Sequence, residues 1–182
     1  KGVGALFIKK GTKIFPHIFG GGQEKGRRSG TENIPGIAGL AKAAEIGSKN
    51  MEARIKKITD LRQYLKSAVL GGIKDVIFNG HPEKRLPGNC NFSFKYIEGE
   101  SIVLRLDAAG IAVSSGSACS SSSMKPSHTL VSMGLKNEEA FGSLRVTLGF
   151  ENTYEEVDYF VYNLKKIISD LRDISPLKKE NK

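Results

Sequence analysis

Thr153-Tyr154-Glu155-Glu156 opens the stretch that decides the fold, and Val157, Phe160, Val161, Leu164, Ile167, Ile168 and Leu171 follow it at three- and four-residue spacings. A threonine three residues ahead of a glutamate is a capping box: the hydroxyl and the carboxylate each accept from a backbone N–H that the helix leaves free. The seven apolar side chains then fall on one face of a helix. Such a face needs a sheet or other helices to cover it. Just upstream, Ser143 to Leu148 alternates as a strand, and further back Cys90, Phe92 and Phe94 alternate with Asn89, Asn91, Ser93 and Lys95. Period two turns the cysteine and the phenylalanines toward a core, so Cys90 reads as a packed core thiol.

Shorter elements surround these. Val76-Ile77-Phe78 is a strand before the turn Asn79-Gly80-His81-Pro82; Glu98 to Ala109 is a helix with acids in its first turn and Gly110 past its end; Ile111-Ala112-Val113 is the next strand. Pro126 opens a short helix that Gly134 closes. Upstream, Ile34 to Leu70 reads as helical, with Ile55, Ile58, Leu61 and Leu65 on one stripe, a bend or split at Gly47-Ser48, and Gly71-Gly72 as its stop. The chain opens on Val3-Gly4-Ala5-Leu6-Phe7-Ile8, read as a buried strand that begins in the middle of a fold and not as a signal peptide. The order predicts an α/β protein: residues 1–33 as the edge of one domain, 34–72 as a connecting helix, 73–176 as a smaller domain, and 177–182 as a polar tail.

With 182 residues, 39% hydrophobic and 26% charged, the composition is that of a globular chain and excludes collagen-like and disordered classes. No apolar run reaches the roughly 18 residues that a bilayer requires. A net charge of +9 favours anionic partners without choosing among nucleic acid, phosphate and acidic protein. Two cysteines, Cys90 and Cys119, fit a reducing compartment, with the cytosol as the default.

Three places hold chemistry. Cys119 stands in Ser114-Ser115-Gly116-Ser117-Ala118-Cys119-Ser120-Ser121-Ser122-Ser123, a stretch of small residues with no packing pattern. It reads equally as a loop nucleophile or as an incidental thiol. Arg145 lies on the Ser143–Leu148 strand between two apolar positions, where a planar guanidinium suits bidentate capture of a carboxylate and alternation equally permits a solvated side chain. The loop from Gly20 to Thr31, with Lys25, Arg27, Arg28, Ser29 and Thr31, offers N–H groups, hydroxyls and positive charge to a phosphate, but lacks the P-loop and G-x-G-x-x-G spacings. His17, His81 and His128 are scattered, and no metal site is read from them.

Several motifs in register carry a resemblance to the pyridoxal-phosphate-dependent cysteine desulfurases that feed iron–sulfur cluster assembly, within the class-V aminotransferase family. They are Lys1-Gly2-Val3-Gly4-Ala5-Leu6, Gly20-Gly21-Gly22-Gln23-Glu24 through Arg28-Ser29-Gly30-Thr31-Glu32-Asn33, the Ser114–Cys119 segment, Pro126-Ser127-His128, and Leu144-Arg145-Val146-Thr147-Leu148-Gly149. The resemblance implies the small C-terminal domain of the fold-type I transferase fold, a mixed or antiparallel sheet with helices on one side. It implies that Cys119 takes up the sulfur of a cofactor-bound L-cysteine as a persulfide while alanine leaves, that Arg145 holds the substrate carboxylate, and that Thr31 reaches the cofactor phosphate of the neighbouring subunit in a homodimer. An iron–sulfur scaffold or sulfur-carrier protein would accept the sulfur. In this family the Schiff-base lysine lies upstream of the segment resembling Lys1, so the chain alone is expected to be inactive.

Phe150-Glu151-Asn152 and Lys125 depart from the family's usual residues. Alternative readings are a selenocysteine lyase or another class-V enzyme, and, more distantly, a basic nucleic-acid- or protein-binding module. The last is disfavoured because the charges are spread along the chain and there is no tryptophan.

Overall fold

The computed structural model describes residues 2–115 and 126–176. The chain divides into two compact units, Lys1–Met51 and Glu52–Lys182.

The first unit holds α1 (Gln23–Gly26), a single turn in which Glu24 and Lys25 take left-handed φ values of 52° and 59°, and α2 (Ile34–Lys49). Asn33 caps α2: its Oδ1 accepts from the Gly36 N–H at 3.1 Å, while its amide donates to the Gly2 carbonyl. The strand expected over Val3–Ile8 does not form, and Leu6 and Phe7 are 78% and 91% exposed. Strand backbone needs a neighbouring strand to take up its N–H and C=O groups, and none exists among the described residues of this unit. The helix expected from Ile34 to Leu70 breaks at Asn50 instead of Gly47-Ser48. Ser48 Oγ bonds back to the Glu45 carbonyl, a local interaction the helix tolerates, so the chain leaves helical geometry two residues later.

The second unit runs α3 (Met51–Gly72), β1 (Val76–Phe78), β2 (Asn89–Phe94), α4 (Gly99–Ala108), β3 (Ser114–Ser115), α5 (His128–Ser132), α6 (Asn137–Phe141), β4 (Ser143–Thr147) and α7 (Tyr154–Ile174). All strand pairs are antiparallel, in the order β1-β2-β4-β3. Residues Ile111-Ala112-Val113, expected as a strand, lead into β3 without pairing, and α6 is an additional short helix. Cys90, Phe92, Phe94, Leu144 and Val146 turn to one face of the sheet. There they meet Leu61, Leu65 and Val69 of α3, Ile102 and Leu106 of α4, and the seven apolar residues of α7. The Thr153 capping box forms as read: Thr153 Oγ1 accepts from the Glu156 N–H at 3.3 Å, and Glu156 Oε2 accepts from the Thr153 N–H at 3.1 Å.

Gly142 ties the other end together. Its carbonyl accepts from the Phe94 N–H, and any Cβ at this position would collide with the Phe94 carbonyl. Leu164, fully buried at the centre of α7, tests whether this core alone sustains the second unit. Leu164→Ala should lower unfolding stability by about 2–5 kcal/mol in denaturant titration, the range for a cavity in a close-packed core.

Candidate functional site

Leu144 and Val146 must face the core, so strand geometry sends Arg145 to the opposite face, where its side chain is exposed. The antiparallel register sets Asn91 of β2 directly beside Arg145 on one side and Ser114 of β3 on the other. Asn79, whose N–H donates to the Asn91 carbonyl at 2.8 Å, continues the row beyond β2. Four polar residues, Asn79, Asn91, Arg145 and Ser114, thus cross the sheet in line.

Arg145 is also distinct in what it lacks. Arg62 donates to the Leu86 carbonyl, Arg85 holds the carbonyls of Asn79, His81 and Asn89, Arg105 faces Asp170, and Arg54 stacks on Phe150. Arg172 reaches from α7 to the carbonyls of Asp75 and Lys95. Among the described residues of this unit, only the Arg145 guanidinium has no hydrogen bond, ion pair or aromatic ring. It is a cation on a rigid strand with its full donor fork available to an anion.

Thr31 lies in the first unit at the end of a loop shaped by its own contacts. Ser29 Oγ donates to the Gly21 carbonyl at 2.8 Å, the Gly30 N–H donates to Gln23 Oε1, and the Arg28 guanidinium bonds the Ser29 carbonyl. The Thr31 side chain is exposed and has no partner among the described residues. Cys119 lies outside the described residues. Cys90 is fully buried on the core face of β2, and that burial pushes its thiol up from the ordinary 9.0 to about 11, against an opposing pull from Arg85, Arg62 and Lys66. A thiol so protonated is a poor nucleophile. Because its folded value lies above the unfolded one, the stability it lends is present below pH 9.0 and lost as the pH rises toward about 11.

Residues 1–160 match the aminotransferase class-V family. The chain belongs to this family. It is 52% identical over 180 residues to cysteine desulfurase IscS of Dictyoglomus turgidum, covering 99% of this chain and 46% of that protein. With cysteine desulfurase IscS 1 of Archaeoglobus fulgidus it shares 54% over 177 residues, covering 97% and 46%. A solved NifS-like protein superposes with a TM-score of 0.80 at 37% identity over 91% of this chain and 42% of its own. One from Rickettsia africae superposes at 0.77 and 32% identity, over 87% and 41%. The small antiparallel sheet with its helices is therefore the α/β arrangement of the fold-type I transferases. The chain spans just under half the length of the curated relatives it matches.

Class-V aminotransferases depend on pyridoxal phosphate. The Thr31 hydroxyl on its basic loop suits one phosphate contact. A cleft of about 560 Å³ between β4, the 110–113 segment and the start of α7 is lined mainly by Leu65, Ile111, Val113, Val146, Leu148 and Phe160, with Glu155 and Glu156 at its polar side and no lysine. Those carboxylates repel a phosphate. The described residues therefore do not by themselves form a site for the whole cofactor, ring included.

Of this row the sequence singles out Arg145 as a candidate, with Asn79 in a turn and Asn91 on the outer side of a strand. The run of Asn89, Asn91 and Ser93 on the face away from the phenylalanines was the available signal.

Two outcomes follow from this geometry. Arg145→Ala should leave the thermal unfolding midpoint essentially unchanged, within about 0.5 kcal/mol as for surface positions, whereas Arg172→Ala, which frees two backbone carbonyls, should cost about 1–2 kcal/mol. Cys90 should resist iodoacetamide in the folded protein and react only once denaturant unfolds it, as read by peptide mass spectrometry.

Proposed function

We propose that the protein carrying this chain is a cysteine desulfurase, and that the chain supplies the sulfur-accepting thiol and the carboxylate-binding arginine. The net conversion is L-cysteine plus the Cys119 thiol to L-alanine plus the Cys119 persulfide. The substrate's Cβ–Sγ bond breaks, a bond forms between its Sγ and the Cys119 Sγ, and the proton count is conserved. The observation that carries this reading is identity above 50%, over nearly the whole chain, to proteins named cysteine desulfurase.

Arg145 fits the role of anchoring L-cysteine. Its uncommitted guanidinium can take both oxygens of the α-carboxylate, fixing the amino acid by the part that does not react. Pyridoxal phosphate supplies the electron sink for carbon–sulfur cleavage. Thr31 would touch that cofactor's phosphate in the neighbouring subunit of a homodimer. An iron–sulfur scaffold or a sulfur-carrier protein would then receive the sulfur. Residues 1–33 belong, on this reading, to the large cofactor domain, 34–72 to the connecting helix and 73–176 to the small C-terminal domain, in an enzyme of the cytoplasm. Among the described residues, no helix is long and apolar enough to cross a membrane.

Assayed with L-cysteine and a reductant, the full-length protein should release alanine, and intact-mass spectrometry without reductant should find one extra sulfur on the peptide holding Cys119. Cys119→Ser should abolish both signals. Arg145→Ala should raise KM for L-cysteine by about 10-fold or more, the loss of a charge-assisted pair. Absence of alanine from the wild-type holoenzyme, or a persulfide on another residue, would overturn the reading.

A further inference from the structure

Arg145 can satisfy two acceptor positions of a carboxylate, which has about four. The structure offers another donor in the same row. Asn91 stands opposite Arg145 across the β2–β4 pairing, on the same face of the sheet and half-buried. Its Oδ1 is committed, accepting from Asn79 Nδ2 at 2.6 Å. That commitment fixes which end of the Asn91 amide is free: Nδ2, which donates to nothing among the described residues. Ser114, on the other side of Arg145, cannot play this part, because its hydroxyl already donates to the Ser115 carbonyl at 2.9 Å.

Asn79 explains why the amide is held this way round. It is 3% exposed, its Nδ2 also donates to Ser93 Oγ at 2.8 Å, and its own Oδ1 is left without a partner among the described residues. An unmet buried acceptor is a cost of about 1–3 kcal/mol that a leucine there would avoid. An asparagine with only a packing role has no reason to carry it.

The geometry points to Asn91 as a second donor to the carboxylate that Arg145 captures, with Asn79 as the positioning residue that presents the Asn91 amino group. This deepens the desulfurase reading and rests on it for the identity of the amino acid. What it adds is selectivity for a free α-carboxylate over an amide, since a carboxamide presents an N–H₂ donor where Asn91 and Arg145 both require an acceptor.

The test is calorimetric binding of L-alanine and of L-alaninamide to the full-length holoenzyme, which needs no turnover. Asn91→Ala should weaken L-alanine about 10-fold, the value of a hydrogen bond to a charged group, and leave the weaker L-alaninamide unchanged. Asn91→Asp, which keeps the shape and the acceptor for Asn79, should weaken L-alanine further by placing like charges together. Asn79→Leu should weaken it to a lesser degree by letting the Asn91 amide turn. A purely structural role would shift both ligands alike. L-Alanine affinity within about 2-fold of wild type in both Asn91 variants, or in Arg145→Ala, would overturn the inference. Alanine release from L-cysteine by the wild type is scored separately. A protein that makes no alanine yet shows the Asn91 effect loses the desulfurase reading and keeps this one.

Discussion

The pairing of β2 with β4 is the constraint on which the second unit depends. Its register sets Cys90 against Val146 and Phe92 against Leu144, one face of a close-packed core, and in doing so sets Asn91 against Arg145 on the other face. A slip of β2 by one residue would bury the Asn91 amide and expose two phenylalanines, and a slip of β4 would bury the Arg145 guanidinium and expose Leu144 and Val146. The cost of that exchange is what fixes Arg145 in place. Core packing and site geometry are therefore two consequences of one register.

The arginines show how the fold separates structural charge from available charge. Asp75, just before β1, and Tyr96, just after β2, take left-handed φ values of 51° and 70° at the same end of the β1–β2 pair. Arg172 bonds the Asp75 carbonyl and the Lys95 carbonyl beside Tyr96, while Ser175 Oγ bonds the Tyr96 carbonyl itself. These contacts hold backbone that would otherwise relax. Arg85 likewise fastens the 79–89 loop through three carbonyls and lies 4.0 Å from the centre of the Phe78 ring. Against such fully employed neighbours, an arginine on a central strand with no partner among the described residues stands out, because the same fold pairs the others.

Long periodic signals were legible in the sequence, and signals that depend on a partner were not. The capping box and stripe of α7, the alternation of β2 and the position of β4 all follow from local spacing, and the structure has each of them. Val3–Ile8 is apolar enough for a strand, but a strand is defined by its neighbour, and the unit offers none among its described residues. Ile111-Ala112-Val113 fails for a related reason: the pairing with β4 begins only at Ser114, opposite Arg145. Asn79 was invisible for a third reason, since its meaning lies in a side-chain bond to a residue 12 positions away, and no periodicity reports that. Arg145 is nameable from sequence, whereas the absence of a partner for it among the described residues is a property of its surroundings that no local pattern reports.

Arg145 and Thr31 differ in what holds them, and that difference bears on what the proposed roles require of each. Arg145 sits on a strand whose opposite face is anchored by buried Leu144 and Val146, so its backbone is fixed before any ligand arrives and only side-chain freedom remains to be lost on binding. Among the described residues of its unit only Ser29 is buried, and Thr31 sits on a loop shaped by a few hydrogen bonds and by left-handed backbone at Glu24 and Lys25. A contact made from such a loop gains less from preorganisation and depends more on what surrounds it. The position of the Arg145 guanidinium is thus set by the second unit's own core, whereas that of the Thr31 hydroxyl is set by a loop with little packing beneath it.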